Sequence, residues 1–108
     1  VPDTTELLTA LDHFADQLRA APQSRLQRGA AAEGLGLARE LALRAQRVEA
    51  PGREPLIMPD AGMFAVADQL TVAGTDLAEE LRRAPASRAR EVDEAVRLIR
   101  GAERRAFP

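Results

Sequence analysis

The chain contains one histidine, His13, and no cysteine. An exposed imidazole can accept a phosphoryl group, and a buried one can ligate a metal. His13 lies in the stretch "DHFAD", between Asp12 and Asp16, on the side of its helix opposite the apolar residues. Two flanking carboxylates would oppose an incoming phosphate. A solvated surface histidine is the simpler expectation, with His13 as a phosphotransfer site the alternative. Without cysteine there is no thiolate chemistry, disulfide or Cys-based zinc site. The sequence has no Glu-x-x-His motif of the kind that di-metal bundles use. It has no Gly-rich phosphate loop, and no Ser or Thr set beside a basic partner in a recognisable arrangement. The expectation is therefore no catalytic, cofactor-binding or metal-binding residue. Glu103 is the one acid near the middle of an apolar helical face. If buried it needs an arginine partner and becomes the best candidate for a pocket residue.

The elements that must position these residues are helices. Leu7, Leu11, Phe14 and Leu18 are spaced four, three and four apart, which predicts a helix from about Thr4 to Ala21. Asp3 and Glu6 fit a capping box at its start. Pro22 ends it. Ser24 and Gln27 then read as a second helix N-terminus, with Leu26, Ala30, Leu37, Leu41 and Val48 on one face up to about Glu49. Pro51, Pro55 and Pro59 predict an extended linker over Ala50–Pro59. Asp60 reads as the cap of a third helix carrying Met63, Val66, Ala67, Leu70, Gly74, Leu77 and Leu81. Pro85 ends that helix and Ser87 opens a fourth, with Val92, Val96, Ile99 and Ala102 inward and Phe107 closing the end.

An exposed histidine on a helical bundle is similar in outline to the arrangement of histidine phosphotransfer domains. Those domains follow the histidine with a lysine and a glycine that accommodate the phosphoryl group. "DHFAD" supplies neither, so the comparison names no family for this chain.

The octapeptide "LRAAPQSR" (Leu18 to Arg25) recurs as "LRRAPASR" (Leu81 to Arg88), with six of eight positions identical at an offset of 63 residues. Each copy joins two helices. A tight turn must stop hydrogen bonding on one side and satisfy free amides on the other, and Pro and Ser suit those two tasks. The expected fold is thus all-α, an up-down-up-down four-helix bundle. It is built from two αα-hairpins (about 3–49 and 60–107) with an approximate internal twofold, joined by linker 50–59 in a single domain over 1–108.

Charge follows the same alternation. The first and third helices are net acidic and the second and fourth net basic, so antiparallel neighbours are expected to attract. Overall net charge is −2, and all fifteen basic residues are arginine. Arg/Ala richness without lysine suggests a GC-rich, bacterial genome. An acidic whole-molecule field and basic helices without aromatic interleaving argue against a nucleic-acid partner. No apolar run is long enough to span a membrane. The first residues, "VPDTTELL", lack the features of a signal peptide, and a cytoplasmic protein is expected.

Interaction remains. "GAAAEGLGLA" places three glycines in a helix, where each costs about 0.5–1 kcal/mol relative to alanine. Gly34 falls on a strip of small residues suited to close packing, to a bend or to a partner helix. Leu35 and Leu43 point away from the apolar centre of the second helix and could mark self-association, and Val72 points outward on the third. In "PLIMP", Leu56, Ile57 and Met58 are expected to cap the open end of the bundle, or else to be presented as a docking peptide. The expected function is a non-catalytic protein–protein interaction or regulatory bundle, acting on a protein partner or a second copy. The alternative is a phosphotransfer-like or small-ligand-binding bundle.

Overall fold

A computed structural model describes every residue from Val1 to Pro108. The chain is all-helical and contains no strand. Four long helices form a four-helix bundle: α1 (Thr5–Ala20), α2 (Ala31–Glu49), α3 (Val66–Arg83) and α4 (Ala89–Ala106). One buried cluster draws on all four, and Leu7, Leu11, Phe14, Leu41, Leu70, Leu77, Leu81 and Ile99 are its largest fully buried side chains. With so few aromatics, the core is aliphatic. Phe14 meets Phe107 edge-on at 6.2 Å, so Phe107 closes one end as its position suggested.

The helix ends depart from the expected capping. Asp3 does accept from the Thr5 amide at 2.9 Å. Glu6, however, reaches across to Arg100 at 3.0 Å and does not complete a capping box. Neither Ser24 nor Ser87 makes a capping bond. Pro22 and Pro85 are extended and stand immediately before the new turn, and their carbonyls accept its first amides: Arg25 and Leu26 donate to Pro22, and Arg88 donates to Pro85. The two octapeptides therefore do the same job, with the proline carbonyl in the role expected of serine.

The second helix is not continuous. Gln23–Arg25 forms one helical turn, Leu26–Ala30 a π-helical turn, and Gly29 takes φ 138° before α2 begins at Ala31. The third helix starts later than expected. Asp60 accepts from the Gly62 amide at 2.8 Å, which turns the chain into a 3-10 segment, Met63–Ala65, ahead of α3.

Side-chain pairings fix the helix directions. α1 is antiparallel to α3, since Arg19 bonds Asp68 and Thr71 while Arg82 bonds Thr4. α2 is antiparallel to α4, through Arg44–Glu94 and Arg105–Glu33. α2 runs parallel to α3: Gly34 packs on Val66, and Ala42 and Ala45 share a cleft with Asp76 and Glu79. The helices thus run up, down, down, up in chain order rather than in strict alternation. The linker makes this geometry feasible. Ala50–Gly62, which turns at Pro51–Arg53 and runs on without helix, has a contour of about 43 Å at ~3.3 Å per residue. The 19 residues of α2 span only about 28 Å. The chain retraces α2 before starting α3, as bundles with a long crossover do.

The internal twofold is visible in the contacts. Arg19 and its repeat counterpart Arg82 each reach the first turn of the other's helix. Leu11 packs against Gly74, which stands 63 positions later, so each touches its own counterpart at the middle of the α1–α3 contact. The principal packing is between the halves: α2 on α3, α1 on α3 and α4, and α2 on α4.

The charge alternation does not choose neighbours. Among the interhelical Arg–carboxylate pairs, only Glu6–Arg100 joins an acidic helix to a basic one. Arg19–Asp68 joins the two acidic helices, and Arg44–Glu94 and Arg105–Glu33 join the two basic ones. The minority charges on each helix make the specific contacts. Arg44 is the best anchored of them. Desolvation works against its charged form, and Glu40 and Glu94 outweigh that, leaving its pKa raised.

Candidate functional site

Two places bring polar chemistry together. The first is the seam between α1 and α4. His13 Nδ1 lies 2.7 Å from Glu103 Oε2, and the histidine side chain is 66% exposed. Glu103 Oε2 is buried and receives no well-directed hydrogen bond. Its companion is thus an imidazole instead of the expected arginine. With Nδ1 facing the carboxylate, Nε2 faces away from it. Asp12 and Asp16 are exposed beside it in sequence, and Asp16 pairs with Arg19 at 3.3 Å. The chain has no group of three or more His, Asp or Glu side chains placed to hold a metal ion.

The second place is built by the linker. Three long polar side chains hold it as a strap against the bundle. Gln46 on α2 grips Leu56 twice: its Nε2 donates to the Leu56 carbonyl at 2.9 Å and its Oε1 accepts from the Leu56 amide at 2.8 Å. Arg39 Nε donates to the Met58 carbonyl, and Gln69 Nε2 on α3 donates to the Pro59 carbonyl, both at 2.9 Å. Met58 packs onto the core. Leu56 and Ile57 do not, and are 80% and 73% exposed. The expectation that all three cap the open end of the bundle therefore fails for two of them, because the strap runs along its side.

Strap, α2 and α3 enclose a cleft of about 700 Å³ with Ala42 and Ala45 among its lining. Its acidic lining is Glu49 from α2 and Asp76, Glu79 and Glu80 from α3. Glu80 pairs with Arg83 at 3.2 Å. No arginine lies within ion-pair distance of Glu49, Asp76 or Glu79.

The other expected surface residues divide. Leu35 is only 8% exposed, which corrects its assignment to an outer patch. It belongs to the buried core and lines a cleft with Asp60, Gly62 and Met63 of the returning chain. Leu43 is half-buried. Gly34 serves close internal packing: a Cβ there would sit 2.6 Å from Val66 and 3.0 Å from Leu18. Val72 is exposed as expected. Phe64 is 74% exposed and no periodicity singled it out, since it falls beside the apolar stripe of α3 in a 3-10 turn.

Comparison with protein-family models, with curated proteins and with solved structures finds no match for this chain. No helix is long and apolar enough to cross a membrane.

Proposed function

We propose that this chain is a non-catalytic protein-interaction module whose contact surface is the strap. The observation that carries this reading is the clamp of Gln46 on both backbone groups of Leu56, which fixes the strap while Leu56 and Ile57 point outward. An exposed aliphatic pair on a loose loop would lose much of its binding energy to ordering. A pair whose backbone is already anchored loses less.

A photo-crosslinking side chain at position 57, introduced into the protein in its native host, tests this. It should give a discrete crosslinked species that disappears in a Leu56→Ser/Ile57→Ser variant with unchanged thermal unfolding. A crosslinker at Asp12 should not give that species. Identical patterns from positions 57 and 12 would count against the strap. A crosslink to a second copy, supported by sedimentation, would make the module self-associating.

The phosphotransfer alternative has weaker support. Glu103 adds a third carboxylate to Asp12 and Asp16 around His13, and none of these stabilises an incoming phosphoryl group. A His13→Gln variant retaining full function in the host would remove it.

A further inference from the structure

The electrostatics of the strap cleft say what kind of partner it suits. We infer that it receives a cationic amphipathic helix of another protein, with apolar residues set on Leu56 and Ile57 and Arg or Lys side chains set on Glu49, Asp76 and Glu79. This inference rests on the interaction reading and narrows it to one class of partner.

Three features converge. Glu49, Asp76 and Glu79 line the cleft without an ion-pair partner, whereas the fourth acid of the lining, Glu80, is paired with Arg83. The parallel course of α2 and α3 brings both C-terminal halves to this cleft, and Glu49 is the last residue of α2. The partial negative charge at a helix C-terminus favours cations, and of the three carboxylates Glu49 lies in such a last turn, that of α2. Strap residues Arg53 and Glu54 flank an adjoining smaller cleft with Glu49 and offset each other in charge.

The spacing suits a helical occupant. Asp76 and Glu79 are three residues apart on α3, about one helical turn, so cations one turn apart on a second helix could meet them in register. The exposed Leu56 and Ile57 supply the apolar contact that a charged cleft alone lacks, in the manner of helix-in-groove recognition. The cleft of about 700 Å³ is an open groove along the surface.

The probe is an amphipathic leucine–lysine peptide labelled for fluorescence anisotropy, with a leucine–glutamate peptide of the same pattern as its counterpart. The full chain should bind the lysine peptide at least about tenfold more tightly than the glutamate peptide, and added salt should weaken binding. Asp76→Asn and Glu79→Gln should each weaken it by about two- to fivefold, as expected for exposed charge pairs. Leu56→Ser/Ile57→Ser should abolish it without moving the unfolding midpoint. Asp12→Asn/Asp16→Asn, which removes two negative charges from another face, twice as many as either cleft variant, should leave it unchanged. Equal binding of both peptides, no binding of the lysine peptide, or equal loss from the Asp12/Asp16 variant would overturn the inference. If the lysine peptide fails while the crosslink from position 57 persists, the strap is an interaction surface for a partner of different chemistry. If the crosslink is lost as well, the interaction reading itself falls.

Discussion

Three glycines, Gly29 and Gly36 before and in α2 and Gly74 in α3, do three different things, and their substitutions should separate. Gly29 holds φ 138°, a backbone that L side chains rarely adopt. Gly29→Ala should cost about 1–3 kcal/mol through strain at the bend. Gly36 lies in open space on the helix surface. Gly36→Ala should stabilise by about 0.5–1 kcal/mol, since alanine is the better helix former and nothing obstructs its methyl. Gly74, on α3, is the opposite case. A Cβ there would stand 2.5 Å from both Leu11 Cδ atoms and 3.0 Å from its Cγ, so the whole leucine must move. Gly74→Ala should destabilise by about 1–2 kcal/mol after its gain in helix propensity is counted. Denaturant unfolding of the three variants checks the order. The sequence marked the glycine cluster as unusual, but it could not divide the roles. Which glycine meets a neighbour depends on residues far away in the chain, such as Leu18, Val66 and Leu11.

At the N-terminus, Asp3 has its carboxyl pKa lowered by the Thr5 backbone amide. A carboxyl lowered in the folded state contributes stability above its unfolded pKa, and that contribution fades as pH falls through the folded value. Asp3→Ala should therefore lower the unfolding temperature at neutral pH and differ less from the parent in strong acid.

Among the elements, the strap was the least legible. Its prolines announced an extended segment, and the segment is non-helical but opens on a turn at Pro51–Arg53, where the Arg53 amide donates to the Ala50 carbonyl at 3.1 Å. Its path was hidden because the groups that anchor it, Arg39, Gln46 and Gln69, are long polar side chains that periodicity assigns to solvent. They direct their hydrogen bonds to the strap backbone instead. Gln46→Ala removes two bonds to Leu56 and should cost about 0.5–1.5 kcal/mol. The sharper signature is local: the Leu56 amide should exchange with solvent far faster than in the parent, while core amides of α3 keep most of their protection. Helix stripes were the most legible feature, because apolar spacing at 3.6 residues reflects burial directly. The same logic located the turns through Pro22 and Pro85 and misassigned Ser24 and Ser87, since a proline carbonyl as acceptor leaves no trace in side-chain type.

At the scale of the molecule, the repeated octapeptide marks two interlocked halves. Each long helix packs mainly on helices of the other half, and one core serves both. Unfolding should therefore be a single cooperative transition, and residues 1–49 alone should show little helical circular dichroism. A folded fragment would mean that the halves are independent hairpins. The twofold also shows where the halves differ. The α2–α3 seam carries the strap, while its counterpart between α1 and α4 carries His13 and Glu103. The functional argument is built on the strap seam, and its central claim is that Leu56 and Ile57 are displayed on a rigid frame. Backbone ¹⁵N relaxation of the isolated protein measures this directly. Order parameters at Leu56 and Ile57 near those of the helices, about 0.85, are the result expected for an anchored strap, whereas values below about 0.6 would show a flexible loop and contradict it.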